Sequence, residues 1–140
     1  MLEGRTLVAG HATGTALVLD EPLSFWGGLD PVTGALIDTH HPQLGANLTG
    51  RVLVMPSGRG SSSSSYVLAE AIRAGTAPAA IILREADGII ALGAIVAREL
   101  YGAAPPVVVL SAARYSQVED GATVEIDARD DLALIGDVIP

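Results

Sequence analysis

One stretch of the sequence decides the fold: residues 51–75 read RVLVMPSGRGSSSSSYVLAEAIRAG. Its first five residues, 51–55, contain a continuous apolar run, which is typical of a strand buried on both faces. From about residue 62 to residue 74 the apolar residues recur at helical spacing, and Gly75 is typical of a helix end. The stretch therefore predicts a buried strand, a polar loop and a helix in immediate succession.

The same alternation continues toward the C-terminus. Residues 79–83 and 107–110 are predicted strands, and residues 91–101 between them are a predicted helix. Two strand–helix–strand crossovers imply that the three strands pair in parallel. We expect residues 1–140 to form one α/β domain. Shorter strands are predicted on either side of this centre, at 6–9, 15–20, 35–38, 123–126 and 132–135.

Composition and charge exclude several classes of protein. With 49% hydrophobic residues and a mean hydropathy of +0.44, the chain can bury a core and is not intrinsically disordered. Its net charge of -8 comes from 16 Asp and Glu against 8 basic residues, all arginine, and such a field repels nucleic acid and anionic lipid. Because the chain has no cysteine, disulfides and thiolate ligands for zinc or iron–sulfur clusters are excluded within it.

The sequence pattern also bears on location. The first nine residues lack the basic start and the apolar centre of a secretion signal. No run approaches the roughly 18 apolar residues that a membrane helix needs. We therefore expect a cytoplasmic protein without a membrane partner.

Five consecutive serines, residues 61–65, follow the loop Pro56-Ser57-Gly58-Arg59-Gly60. Unpaired N–H groups and the positive end of the helix dipole meet at such a position and can hold an anion. The two glycines let the backbone approach a ligand, and the arginine can bind a carboxylate or phosphate through two hydrogen bonds. The spacing is not that of a P-loop or a nucleophile elbow. The residues alone leave open an anion site or a serine that only caps the helix.

The histidines offer one candidate. His41 follows a predicted strand, and Asp38 is near enough in sequence to orient its imidazole. His11 and His40 are more typical of surface or hydrogen-bonding residues. No set of His, Asp and Glu has the spacing of a metal site, so we expect no metal in this chain.

The only Phe and the only Trp lie side by side, at positions 25 and 26. They belong to a loop, residues 21–34, whose glycines and prolines predict a single conformation. Core packing and contact with a partner protein are about equally good explanations for large aromatic residues on a glycine-rich loop.

Long stretches of the sequence resemble one known family. LSFWGGLDPVTG (23–34), Ile37-Asp38 with His41, and GRVLVMPSGRGS (50–61) are similar to the aconitase X small subunit, or swivel domain. The resemblance covers nearly the whole chain. It implies a swivelling β/β/α domain of the aconitase C-terminal type, which docks on a larger, cysteine-bearing catalytic subunit as a heterodimer. The active site is then expected at the junction of the two subunits.

The resemblance also implies an activity. Family members dehydrate small hydroxy acids: bacterial ones are similar to cis-3-hydroxy-L-proline dehydratase, which forms pyrroline-2-carboxylate, and archaeal ones to mevalonate 5-phosphate dehydratase. In both, an iron centre or iron–sulfur cluster is expected in the large subunit and no cofactor in this chain. Because a phosphorylated substrate favours extra basic groups and this chain has no lysine, hydroxyproline is the first expectation and mevalonate 5-phosphate the alternative.

The family pattern further implies roles for single residues. It places the base that removes the proton next to the substrate carboxylate at Ser61. The neighbours that it assigns to substrate binding are Ser57, Gly58, Arg59, Gly60 and Ser62. The residues expected at the interface with the large subunit, or behind the site in a supporting position, are Phe25, Trp26, Asp30 and His41.

Two other functions are compatible with this fold. A phosphohistidine carrier domain needs a histidine at the helix start, where this sequence has serines followed by Tyr66. A non-catalytic module would use the anion site only to sense a metabolite. A neighbouring gene for a cysteine-containing chain of aconitase type would favour the two-subunit enzyme over both.

Overall fold

The polypeptide forms a closed barrel of strands with helices packed against its outside. The structure is a computed structural model that describes residues 1–138. The strands of these residues close in the order β1-β5-β4-β3-β2-β6-β7. Along the chain the elements are β1 (Leu2–Val8), β2 (Gly10–Val18), α1 (Phe25–Gly28), β3 (Val52–Met55), α2 (Ser64–Ala74), β4 (Ala80–Leu83), α3 (Gly88–Tyr101), β5 (Val107–Val109), α4 (Ala112–Tyr115), β6 (Thr123–Ala128) and β7 (Ala133–Asp137).

The predicted parallel centre is confirmed. β3 pairs in parallel with β4, β4 pairs in parallel with β5, and β2 pairs in parallel with β3. The carboxyl ends of these strands therefore meet at one edge of the barrel. Two backbone hydrogen bonds join the loops at that edge, since the N–H groups of Arg84 and Glu85 donate to the carbonyl of Pro56 at 3.1 and 3.0 Å. The loop after β3 and the loop after β4 are thus held side by side.

The core has two parts, one on each face of the central strands. Val52 and Val54 of β3 pack in one cluster with β6 and β7, whereas Leu53 and Met55 pack in the other with α2 and α3. All four side chains are fully buried. A strand covered on both faces needs apolar residues at every position, which explains the uninterrupted run that predicted it.

The two long helices pack closely at Gly93 of α3. A Cβ at this position would lie 2.8 Å from the carbonyl oxygen of Ser65 and 3.0 Å from its Cα. Only glycine therefore lets α3 approach the first turn of α2.

No helix within residues 1–138 is long and apolar enough to cross a membrane.

Some predicted elements differ from the structure. The strand predicted at 35–38 is wrong, because these residues form only isolated bridges, Leu29 with Leu36 and Ala35 with Asn47, inside a loop folded on itself. The helix α2 begins two residues later than expected, since the residues before it form turns. The helix α3 begins three residues earlier, because Asp87 caps it.

Candidate active site

The serine loop, residues 56–63, leaves the carboxyl end of β3 and enters α2. Within it Gly60 has a φ of +66°, which residues with a side chain rarely adopt. The chain turns so tightly there that the N–H of Ser61 donates to the carbonyl of Arg59 at 3.2 Å. Steric space does not require a glycine here, since a Cβ at position 60 would meet no atom within 4 Å. The positive φ angle is what favours glycine at this position.

Gly58 is required for a different reason, which is the close approach of α3. A Cβ at this position would lie 2.3 Å from Oδ2 of Asp87 and 3.0 Å from Cδ1 of Ile90. The loop that carries the serines is therefore packed directly against the residue that begins α3. Any side chain at position 58 would push the two apart.

Ser61, the predicted base, is half-buried within the serine loop. Its Oγ accepts a hydrogen bond from the backbone N–H of Ser63 at 3.2 Å. An N–H group aimed at a serine oxygen stabilises negative charge on it. Ser63 stands at the N-cap of α2, and its side chain makes no capping hydrogen bond.

Arg59 already has an anionic neighbour. Its Nη2 lies 3.6 Å from Oε1 of Glu21, and both side chains are about half exposed. Such a pair contributes little to stability and exchanges partners readily. Arg59 is therefore available to a carboxylate ligand only in competition with Glu21.

A narrow cleft brings together most of the residues predicted to touch substrate. Gly58, Arg59, Gly60 and Ser61 line it, whereas Ser57 and Ser62 do not. The cleft encloses only about 10 Å³, which is room for roughly one water molecule. Sites that bury a small ligand are about 300 Å³ or larger. A hydroxy acid bound at Ser61 would therefore need a second surface to cover it.

A ring of three hydrogen bonds fastens the tryptophan loop, residues 23–30, to the start of α2. The N–H of Trp26 donates to Oγ of Ser64 at 3.1 Å, and the hydroxyl of Ser24 donates to the carbonyl of Trp26 at 3.1 Å. Since the Ser24 proton is used there, the 3.3 Å contact between the two serines is a donation from Ser64 to Ser24. Ser64 is only 5% exposed. The tryptophan loop and the serine loop thus share one anchor.

This role of Ser64 was not predicted from the sequence. A signal was present, however. Ser64 precedes the buried residues Val67, Leu68 and Ala71 by three, four and seven positions. That spacing places it on the inward face of α2.

The two aromatic residues of the tryptophan loop have different environments. Phe25 is 1% exposed and lines the cleft, which fits the supporting position behind the site rather than contact with a partner; its role there stays a prediction. Trp26 is 59% exposed beside the serine loop, and its role at an interface stays a prediction. Asp30 fixes the following turn, because its Oδ1 accepts from the N–H of Val32 at 2.9 Å.

His41 is buried, and both of its ring nitrogens are hydrogen-bonded. Its Nδ1 accepts from the N–H of Gln43 at 3.0 Å, so the hydrogen-bond pattern assigns the ring proton to Nε2, which donates to the carbonyl of Glu21 at 3.1 Å. The expected orientation by Asp38 is not found, because that carboxylate accepts from the N–H of His40 instead. His41 thereby holds the segment that carries the partner of Arg59.

Asp87 is the site residue that the sequence did not reveal. It lines the cleft with Ser61, and its Oδ1 accepts from the N–H groups of Ile89 and Ile90 at 2.9 and 3.1 Å. Ser61 and Asp87 are 26 positions apart in the sequence, too far for a local pattern to connect them; the pairing of β3 with β4 brings them together.

Metal-binding geometry is not found in the described part of the chain. Among residues 1–138 no three His, Cys, Asp or Glu side chains are grouped so that they could hold a metal ion. These residues therefore do not fit a resident iron centre.

Comparison with known proteins agrees with the fold. The family model described as the aconitase X swivel domain matches residues 1–135. The chain superposes on aconitase X of Thermococcus kodakaraensis, in its holo-form, with a TM-score of 0.83 and 37% identity over 96% of each chain. A UPF0107 protein solved by solution NMR gives a TM-score of 0.81 at 34% identity, covering 96% of this chain and 98% of that one.

Curated relatives fall into two groups. A cis-3-hydroxy-L-proline dehydratase of Pseudomonas aeruginosa is 57% identical over 106 residues, which are 76% of this chain and 18% of that protein. A phosphomevalonate dehydratase small subunit of Thermococcus sibiricus is 39% identical over 127 residues, covering 91% of this chain and 92% of that one. The chain therefore spans only about a fifth of the length of the first relative and nearly all of the second.

The closed barrel, with its polar loop at the carboxyl ends of parallel strands, defines an α/β domain of the swivelling type. The expected β/β/α fold is confirmed by both solved structures. More particularly, the chain belongs to the aconitase X swivel-domain family.

Proposed function

We propose that this chain is the small subunit of a two-subunit hydro-lyase and that it contributes the base, Ser61, to dehydration of a small hydroxy acid. The observation that carries the proposal is the open cleft in which Ser61 stands, with a backbone N–H directed at its oxygen. The names of the relatives, a dehydratase and a dehydratase small subunit, support the reaction class.

The partner we propose is a large aconitase X subunit. The cleft is too small to enclose a substrate, so a second surface must complete the site. Trp26 stands exposed next to the serine loop and is the aromatic residue best placed to contact that surface. An iron centre or iron–sulfur cluster belongs to the large subunit in this proposal, because the described residues of this chain do not form a metal site.

The reaction proposed for Ser61 is a proton abstraction. Its oxygen, as the alkoxide, takes the proton from the carbon that carries the substrate carboxylate. The electrons of that C–H bond form a double bond to the neighbouring carbon, from which the hydroxyl leaves as water. We assign the protonation or binding of the leaving hydroxyl to the large subunit. The N–H of Ser63 and the positive end of α2 stabilise the alkoxide in this scheme.

The substrate we propose is cis-3-hydroxy-L-proline, which would give pyrroline-2-carboxylate. The 57% identity to the Pseudomonas aeruginosa dehydratase supports this choice over the 39% identity to the Thermococcus sibiricus subunit. Mevalonate 5-phosphate is the second candidate, favoured by the separate small subunit of that relative, which this chain matches over nearly its whole length.

The decisive experiment compares Ser61→Ala with Ser63→Ala in the complex with the large subunit. Ser61→Ala should lower kcat about a hundredfold to ten-thousandfold, the usual effect of removing a general base. Ser63 is exposed and its hydroxyl makes no capping bond, so Ser63→Ala is the matched control and should retain turnover.

Both substrates should be assayed with the wild-type complex. Turnover of neither would refute the proposed reaction. Near-normal turnover by Ser61→Ala on the active substrate, with a melting temperature equal to that of the wild type, would show that another group is the base.

A further inference from the structure

Asp87 lines the cleft, and one of its two carboxylate oxygens has no hydrogen-bond donor among the described residues. Its Oδ1 is occupied by the N–H groups of Ile89 and Ile90. Its Oδ2 lies against the Cα of Gly58, whose C–H group is not a conventional hydrogen-bond donor. Among residues 1–138 no donor within hydrogen-bond distance is found for Oδ2. One oxygen caps the helix, and the other lies against Gly58, which lines the same cleft as Ser61.

The charges around the cleft leave this oxygen without a cation. The guanidinium of Arg59 is the basic group that lines the cleft, and it lies 3.6 Å from Glu21. With Arg59 paired to Glu21, Asp87 gives the lining of the cleft a net negative charge. Such a site favours a ligand that brings a positive group and disfavours one that brings only negative groups.

We propose that Asp87 determines substrate specificity by binding an ammonium group on the carbon that loses its proton. This inference rests on the proposed dehydration by Ser61. It deepens that proposal by naming the residue that selects a hydroxylated amino acid over a phosphorylated hydroxy acid.

The chemistry of the two candidate substrates supports this assignment. In cis-3-hydroxy-L-proline the ring ammonium is bonded to the same carbon that gives its proton to the base. A substrate placed with that carbon at Ser61 therefore brings its ammonium group to the immediate surroundings of the base, where Asp87 lies. In mevalonate 5-phosphate the corresponding carbon carries no cation, and the phosphate adds further negative charge. Only the amino acid satisfies the free oxygen of Asp87.

The test uses Asp87→Asn in the complex with the large subunit. Asparagine caps helices about as well as aspartate and has the same shape, so α3 and its contact with Gly58 should persist. Glu85→Gln is the matched control, because Glu85 lies exposed in the same loop, carries the same charge and does not line the cleft.

The readout is the binding of two ring acids, L-proline and (S)-tetrahydrofuran-2-carboxylate, which differ in having a ring ammonium or a ring oxygen. Wild type and Glu85→Gln should bind L-proline about tenfold to a hundredfold more tightly than the oxygen analogue, the range for a hydrogen bond between charged groups. Asp87→Asn should bind the two about equally. Calorimetry measures both affinities without turnover.

An unchanged preference in Asp87→Asn would overturn the role of Asp87, and so would a wild-type complex that binds both ring acids equally. A wild-type complex that dehydrates mevalonate 5-phosphate but not cis-3-hydroxy-L-proline would also overturn it, while leaving the dehydration by Ser61 intact. Loss of the proposed function itself is recognised separately, as absence of turnover with either substrate.

Discussion

Replacing Ser64 by alanine tests whether the start of α2 holds the tryptophan loop in place. The substitution removes the oxygen that accepts the N–H of Trp26 and the hydroxyl that donates to Ser24. The helix itself should not suffer, since alanine is the best helix former and the side chain of Ser64 makes no cap.

The magnitude follows from the two bonds that are lost. A neutral hydrogen bond contributes about 1 kcal/mol, and a buried donor left without a partner costs about 1 to 3 kcal/mol. Both bonds are only partly buried, so water can satisfy some of the groups left behind. We expect the free energy of unfolding to fall by about 2 kcal/mol, which corresponds to a fall in melting temperature of roughly 7 °C for a domain of this size.

The assay is thermal unfolding of the full chain followed by circular dichroism and by the fluorescence of Trp26, the only tryptophan. Ser63→Ala is the control, because that side chain is exposed, and its melting temperature should stay within about 2 °C of the wild type. In Ser64→Ala the emission of Trp26 should also shift toward the red as the loop loosens. Equal melting temperatures and spectra for the two variants would refute the anchoring role of Ser64.

Two further variants test other parts of the structure. Gly93→Ala should lower the free energy of unfolding by about 1 to 3 kcal/mol, because its Cβ would meet the backbone of Ser65 at 2.8 Å; a melting curve equal to the wild type would show that α2 and α3 can separate freely. Trp26→Ala should weaken co-purification with the large subunit while leaving the melting temperature nearly unchanged, since the ring is 59% exposed; a large fall in melting temperature would instead assign Trp26 to the core.

The central elements of the fold were predictable because they are local. The apolar run at β3 and the helical spacing before Gly75 follow from burial and backbone geometry within a few residues. The strand predicted at 35–38 failed because a short apolar segment can be buried in a loop as well as in a sheet. There Leu36 is buried although it and Ala35 pair only through isolated bridges.

The candidate site was predictable where one segment builds it and unpredictable where two segments meet. Ser61 and Arg59 stand in a continuous loop whose glycines and serines mark it in the sequence. Glu21, which pairs with Arg59, and Trp26, which binds Ser64, are nearly 40 positions away from their partners. No periodicity connects such residues.

The sequence by itself determined the strand, the polar loop and the helix, because each depends on the order of neighbouring side chains. Only the tertiary structure decided which serine is buried, which aromatic residue is exposed and which carboxylate shares the cleft with Ser61. The physical reason is that the parallel pairing of β3 with β4 sets the loops after them side by side. Asp87 thereby comes against Gly58, at a distance that allows no side chain between them.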